Sequence, residues 1–162
     1  MAPSNIKPTS KNPQTILINL DYLKIVEVEE TVEQVELIVF YFMHWVDYRL
    51  KWDPSEFNDI DCIYVYPKEL WMPDVMIASY KQFEDDRTEA QKIVTVFYNG
   101  SITMIIAAST NIVCNIDIRN MPFDTQTCKL AIGSYNIRAR VNATIPFEVM
   151  QDDFVIAVRK IS

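Results

Sequence analysis

The sequence predicts an all-β fold, an antiparallel sandwich of about 8–10 strands, and three observations carry that expectation. Val, Ile, Thr and aromatic residues recur along the whole chain, and such residues fit a pleated, half-buried surface. Apolar residues alternate with period two over several segments, which is strand spacing and not helix spacing. The pair Asn99-Gly100 separates two such segments, where a hairpin turn belongs. With 162 residues, 49% of them hydrophobic, the chain can bury one core and form one domain.

Residues 1–14 are polar, carry Pro3, Pro8 and Pro13, and read as a leader or flexible segment; the sandwich is expected over 15–162. Ile16 to Val28 reads as the first strand. A long alternating run follows, with Val35, Leu37, Val39, Tyr41, Met43 and Trp45 on the face expected to enter the core. The opposite parity carries Glu36, Ile38, Phe40, Phe42 and His44. A face that met only water would not hold Ile38, Phe40 and Phe42, so a second surface is expected to cover it. Asp53-Pro54 marks a turn, Cys62 to Tyr66 a short strand, Trp71 to Asp74 a rigid loop and Val75 to Ala78 a strand. Glu84, Asp85 and Asp86 are expected to form a solvated loop, and Asp152-Asp153 another. Ile93 to Tyr98 and Ser101 to Ala107 flank Asn99-Gly100 as a hairpin, expected to turn through type I′ geometry. Val113 to Ile118, Cys128 to Ile132 and Phe154 to Val158 complete the set. The whole is expected to be immunoglobulin-like, with no long helix.

Charge and chemistry narrow the function. The formal charge is -7 and the pI about 4.7, which excludes nucleic acid as an expected partner and favours cations near the surface. No run reaches the ~18 apolar residues that cross a membrane as a helix. His44 is the only histidine, so a metal triad or a Ser-His-Asp machine has no support, and no cofactor or enzyme activity is expected. Cys62, Cys114 and Cys128 fit one bridge plus one thiol, and Cys62, among Ile60, Ile63 and Val65, is expected to be buried and inert. Asn99-Gly100-Ser101 and Asn142-Ala143-Thr144 are glycosylation sequons, which with a disulfide point to the extracellular side.

Cys114 and Cys128 enclose thirteen residues, among them Pro122, Phe123 and Asp124. On spacing alone, a bridge there reads equally as a staple in a secreted sandwich. The segment ending Met121-Pro122-Phe123-Asp124-Thr125-Gln126-Thr127-Cys128 resembles the signature loop of the Cys-loop receptors, the pentameric ligand-gated ion channels, with Met121 in place of the usual first aromatic. Trp45-Val-Asp47-Tyr-Arg49-Leu-Lys-Trp52, Trp71-Met-Pro73-Asp74 and Gly133-Ser134-Tyr135 resemble three further motifs of that family, in the same order along the chain.

The resemblance implies a ligand-binding ectodomain, similar in fold to acetylcholine-binding protein, that assembles with copies or homologous subunits in a ring of five. Ligand, a small molecule such as a cationic amine, would lie between neighbours. Carried over residue by residue, the complementary face falls on Phe40, Phe42, Thr95, Thr103 and Ile105. The principal face falls on Tyr135, with Tyr80 the nearest ring to Ala78, where the family has its first-loop aromatic. Cys114–Cys128 would be the disulfide, and Pro122, Phe123 and Asp124 would couple binding to a membrane pore domain in the full-length protein. Location would be the extracellular side of the plasma membrane, or secreted. The last principal loop and final strand are not visible, so a trimmed or naturally short form is expected. Two other readings remain at this stage: a soluble ligand-binding protein of the same fold, and a structural or adhesive sandwich in which the cysteine loop is only a staple.

Overall fold

The computed structural model describes residues 14–77, 80–85, 87–117, 119, 126–134, 139–144, 148–151 and 154–160. They form eleven strands: β1 (Gln14–Glu29), β2 (Gln34–Val46), β3 (Cys62–Val65), β4 (Val75–Ile77), β5 (Tyr80–Glu84), β6 (Val94–Phe97), β7 (Ser101–Val113), β8 (Gln126–Ser134), β9 (Ala139–Thr144), β10 (Glu148–Gln151) and β11 (Phe154–Lys160). Among the described residues the only helical pieces are single 3-10 turns of three residues, such as Pro54–Glu56. None of the helices is long and apolar enough to cross a membrane.

Seven strands make the larger sheet, in the order β3-β6-β7-β2-β1-β9, with β5 also paired to β7; the other four make a sheet ordered β10-β11-β8-β4. The all-β architecture matches the sequence expectation. The core follows from the alternation in β2: Val35, Leu37, Val39, Tyr41, Met43 and Trp45 are all buried. They pack in one cluster with Ile16 and Ile18 of β1, Val94 and Val96 of β6, Ile102, Met104 and Ile112 of β7, and Leu130 and Ile132 of β8. Residues of both sheets thus share a single core, which gives the sandwich its cohesion.

Several expectations are corrected. The strands number more than the ten allowed for, because β5, β9 and β10 were not foreseen. These are short segments with weak alternation, and β9 (Ala139-Arg-Val-Asn-Ala-Thr) is poor in strand formers. A sheet edge supplies the pairing that local propensity does not. The pairing is not wholly antiparallel: β1 with β9 and β8 with β11 run parallel. Parallel neighbours need long crossovers, and β9 and β10 intervene between β8 and β11 to provide one. The strand expected over Val113 to Ile118 is not found where it is described: residues 114–117 are outside any strand, and Ile118 lies outside the described residues. β7 ends at Val113, and Cys114 leaves the sheet to join Cys128.

The hairpin turn is also not type I′. Val96 faces Ile102, which leaves a three-residue loop, and within it only Gly100 has a positive φ, at +80°. The Gly100 N–H donates to the Phe97 carbonyl at 2.8 Å. This is a type I turn closed by a left-handed glycine. Asn99 keeps a negative φ, and its Oδ1 accepts from the Ser101 N–H at 2.9 Å and from the Ser101 hydroxyl at 2.6 Å. Cys62 is half-buried and flanked by exposed Ile60 and Ile63, because β3 is an edge strand with one neighbour. Partial burial, then the adjacent Asp61, push its thiol pKa up, so the uncharged form dominates. Asp85 is no solvated loop charge: it is half-buried and held by Arg87. Asp86, Asp152 and Asp153 lie outside the described residues.

Candidate functional site

The outward side of the larger sheet carries Phe40, Phe42, Thr95, Thr103 and Ile105, five of the residues that the sequence singled out. The parity that buries Leu37, Val39 and Tyr41 turns Ile38, Phe40, Phe42 and His44 the other way. Phe40 is 40% exposed, and its ring lies 5.3 Å from that of Tyr22 on β1. Phe42 pairs across the sheet with Ile105, which is 48% exposed. One residue row crosses four strands: Tyr64 opposite Thr95, Thr95 opposite Thr103, and Thr103 opposite His44. Phe40, Phe42, Thr95, Thr103 and Ile105 therefore lie on one continuous face.

Within that face His44 is fixed. Its Nδ1 lies 2.8 Å from the Thr103 hydroxyl oxygen, and its ring stacks on Phe42 at 6.2 Å and 11°. The sequence placed His44 on this parity without assigning it a partner. Tyr64, 71% exposed at the end of the row, was not picked out, although it shares a parity with Cys62. The face thus combines ring surfaces with hydroxyls and one imidazole, which suits an amphipathic small molecule.

A scaffold at one end holds β2 and the hairpin together. Asp47 is buried, and its carboxylate accepts from the Arg49 backbone N–H at 3.0 Å and from Arg49 Nη2 at 2.6 Å. The Asp47 N–H donates to the Gly100 carbonyl at 2.9 Å, and the Trp52 N–H to the Tyr98 carbonyl at 3.1 Å. Trp52 Nε1 donates to the Ile60 carbonyl at 2.8 Å. The Trp-x-Asp-x-Arg-Leu-x-Trp stretch is therefore framework that orients the face, and its tryptophans are not part of it.

The opposite end carries the cysteine bridge. Cys114 and Cys128 form a disulfide with a Cα–Cα distance of 5.1 Å. Buried Gln126 ties the base of the enclosed loop both ways: its Oε1 accepts from the Asp117 N–H at 2.9 Å, and its Nε2 donates to the Asp117 carbonyl at 2.8 Å. The neighbouring Arg119 guanidinium holds the Asp117 carboxyl at a pKa of about 2.

Comparison with known proteins bears on this arrangement directly. Residues 3–155 match the model of the neurotransmitter-gated ion-channel ligand binding domain. The chain belongs to that family. It is 29% identical over 132 residues to the acetylcholine receptor subunit alpha-type unc-63 of Caenorhabditis elegans, covering 80% of this chain and 26% of the relative. It is 32% identical over 128 residues to subunit alpha-type unc-38 of the same organism, covering 78% and 25%. It is 28% identical over 128 residues to the neuronal acetylcholine receptor subunit alpha-2 of Mus musculus, covering 79% and 25%. The chain spans about a quarter of the length of the curated relatives it matches.

For this member of the ligand-binding domain family, the remaining sequence assignments divide as follows. The backbone of Tyr80 opens β5 opposite Ile112, at the far end of β7 from Thr103. Asn99 is exposed at the hairpin tip, and Asn142 lies in β9 with its backbone opposite Leu17. Tyr135, Pro122, Phe123 and Asp124 fall outside the described residues.

Proposed function

We propose that this chain is the extracellular ligand-binding part of a neurotransmitter-gated channel subunit, located at the plasma membrane. Five copies or homologous subunits stand side by side, and a small cationic amine binds between neighbours. One subunit supplies Phe40, Phe42, Thr95, Thr103 and Ile105; the next supplies Tyr135, with Tyr80 nearby. The loop closed by Cys114 and Cys128 carries the binding signal through Pro122, Phe123 and Asp124 to a pore domain.

The observation that carries this reading is the outward parity of β2. A strand whose second face holds Ile38, Phe40 and Phe42, continued by Tyr22 and Ile105, exposes apolar area that favours burial against another surface. Ring faces also attract a desolvated ammonium by roughly 0.5–2 kcal/mol each. The relatives' names and the family description support the same direction.

Light scattering on the purified chain, followed by thermal-shift titration with acetylcholine, tests the proposal. A particle of five chain masses is expected, with a ligand-dependent rise in melting temperature that Phe40→Ala and Tyr135→Ala each abolish. A clean monomer whose ligand response survives both substitutions would sink it.

A further inference from the structure

His44 is the chain's only histidine, and the fold sets it on the outward face among side chains that carry no charge. Leu17 of β1 stands opposite it, with exposed Thr15 and Asn19 on either side of Leu17. On β7 Thr103 stands opposite, between Ser101 and Ile105, and along β2 Phe42 and Val46 flank the ring. None of these side chains ionises. The titratable groups lie further out. Tyr64 ends the row beyond Thr95, Arg87 meets β7 at the Ile105 carbonyl with Asp85 balancing its charge, and Asp47 is paired with Arg49. Glu36 closes the same parity at the other end of β2. Among the described residues no carboxylate therefore faces the imidazole.

Two contacts hold the ring. Its Nδ1 lies 2.8 Å from the Thr103 hydroxyl oxygen, and its plane stacks on Phe42 with centroids 6.2 Å apart. A neutral imidazole can accept the Thr103 proton or donate its own, whereas an imidazolium can only donate. Protonation thus fixes the direction of that hydrogen bond, turns the Thr103 O–H away and puts a positive charge against the Phe42 ring. That ring is one an incoming ammonium would use. With no carboxylate to pair it, the imidazolium is also costly to bury between subunits. Histidine changes charge between about pH 5 and 8, so the change falls near physiological pH.

We propose that His44 makes the outward face a pH switch: the neutral ring admits a cationic ligand between subunits, and the protonated ring turns it away. The inference rests on the intersubunit site proposed above and adds its regulation by protons. Affinity is full above the titration of the ring and falls as pH drops through it.

The test is acetylcholine binding to the untagged chain as a function of pH. Acetylcholine keeps its charge throughout, so any pH dependence belongs to the protein. The sole histidine also gives a ring-proton NMR signal that reports His44 alone. Affinity is expected to fall roughly tenfold from about pH 7.5 to about pH 5.5, and bound acetylcholine to move the titration midpoint of the His44 signal to lower pH, as reciprocal linkage requires. His44→Gln keeps a polar group for Thr103 but cannot take the charge. Whatever its absolute affinity, the ratio between the two pH values is expected to fall close to one. Equal affinity of the parent chain at both pH values, a His44 midpoint that acetylcholine leaves in place, or a pH ratio that His44→Gln retains overturns the switch and leaves the proposed function standing. Acetylcholine that binds at neither pH overturns both.

Discussion

The Cys114 N–H donates to the Glu33 carbonyl at 2.9 Å, so the disulfide and the turn between β1 and β2 meet at one end of the larger sheet. Glu33 itself sits at a φ of +54°, a left-handed conformation that a residue with a Cβ adopts only when its surroundings fix it. The outward face and the disulfide end are thus linked by two long strands, β2 and β7, which run the full distance between them.

Reducing the bridge should loosen that end and lower global stability. The cysteines are 14 positions apart, and closing a loop of this size is worth about 3 kcal/mol in the chain-entropy model. Urea unfolding with and without reductant is expected to differ by that order, and Cys62→Ser should not alter the difference. Coincident curves would mean that the bridge contributes nothing to the folded state.

Gly100 is constrained twice. Its φ of +80° disfavours any side chain, and a Cβ built there would lie 2.7 Å from the Asp47 carbonyl oxygen. The Asp47 carbonyl accepts from the Leu50 N–H, and the Asp47 N–H donates to the Gly100 carbonyl, so relieving the contact disturbs one of these bonds. Gly100→Ala is expected to cost about 2 kcal/mol or more, within the range for enforced backbone strain. Asn99→Ala loses only side-chain turn bonds and is expected to cost less, about 1 kcal/mol. Denaturation midpoints of the two variants decide; the reverse order would remove the close-packing explanation.

Alkaline pH probes the core beneath the outward face. Burial, then the charge of Asp85, raise the Tyr41 pKa to about 12 from 10.0, while Arg87 opposes the shift. Above pH 10 the unfolded chain has released the phenol proton and the folded chain retains it, so stability falls as pH rises and continues to fall up to about pH 12. That rise corresponds to roughly 3 kcal/mol. Tyr41→Phe should flatten that part of the profile, and a variant that loses stability as steeply as the parent would show that another group is responsible.

How far the fold could be read from the chain follows from the physics of each part. β2 was legible because a strict alternation of large apolar residues has one meaning in a sheet. The hairpin's position was legible from Asn99-Gly100, yet its type was not, since the type depends on register set by β3 and β2 as well as by the dipeptide. β9 escaped because Ala139, Arg140, Asn142 and Ala143 carry little intrinsic strand signal, and its pairing with β1 is long-range and parallel. On the candidate site, the outward placement of Phe40 and Phe42 was legible from alternation, while their assignment to a ligand face came from the family resemblance. The pairing of His44 with Thr103 was not legible, for it joins residues 59 positions apart.

Adjacent parities of one strand give the sharpest separation of stability from function. Leu37 is fully buried, and Leu37→Ala should cost 2–5 kcal/mol, the usual range for emptying a core leucine site. Phe40, three residues on, touches Tyr22 on an outward surface, so Phe40→Ala forfeits an aromatic pair worth about 1 kcal/mol. If the outward face serves assembly and ligand binding, the two variants invert between assays. Leu37→Ala should unfold at lower denaturant but bind ligand normally while folded. Phe40→Ala should unfold close to the parent and yet lose the ligand response and sediment as smaller species. Parallel denaturation, sedimentation and ligand titration supply the comparison. A Phe40→Ala protein with intact assembly and affinity would reduce the exposed ring to incidental surface, and the parity of β2 would then carry no functional information.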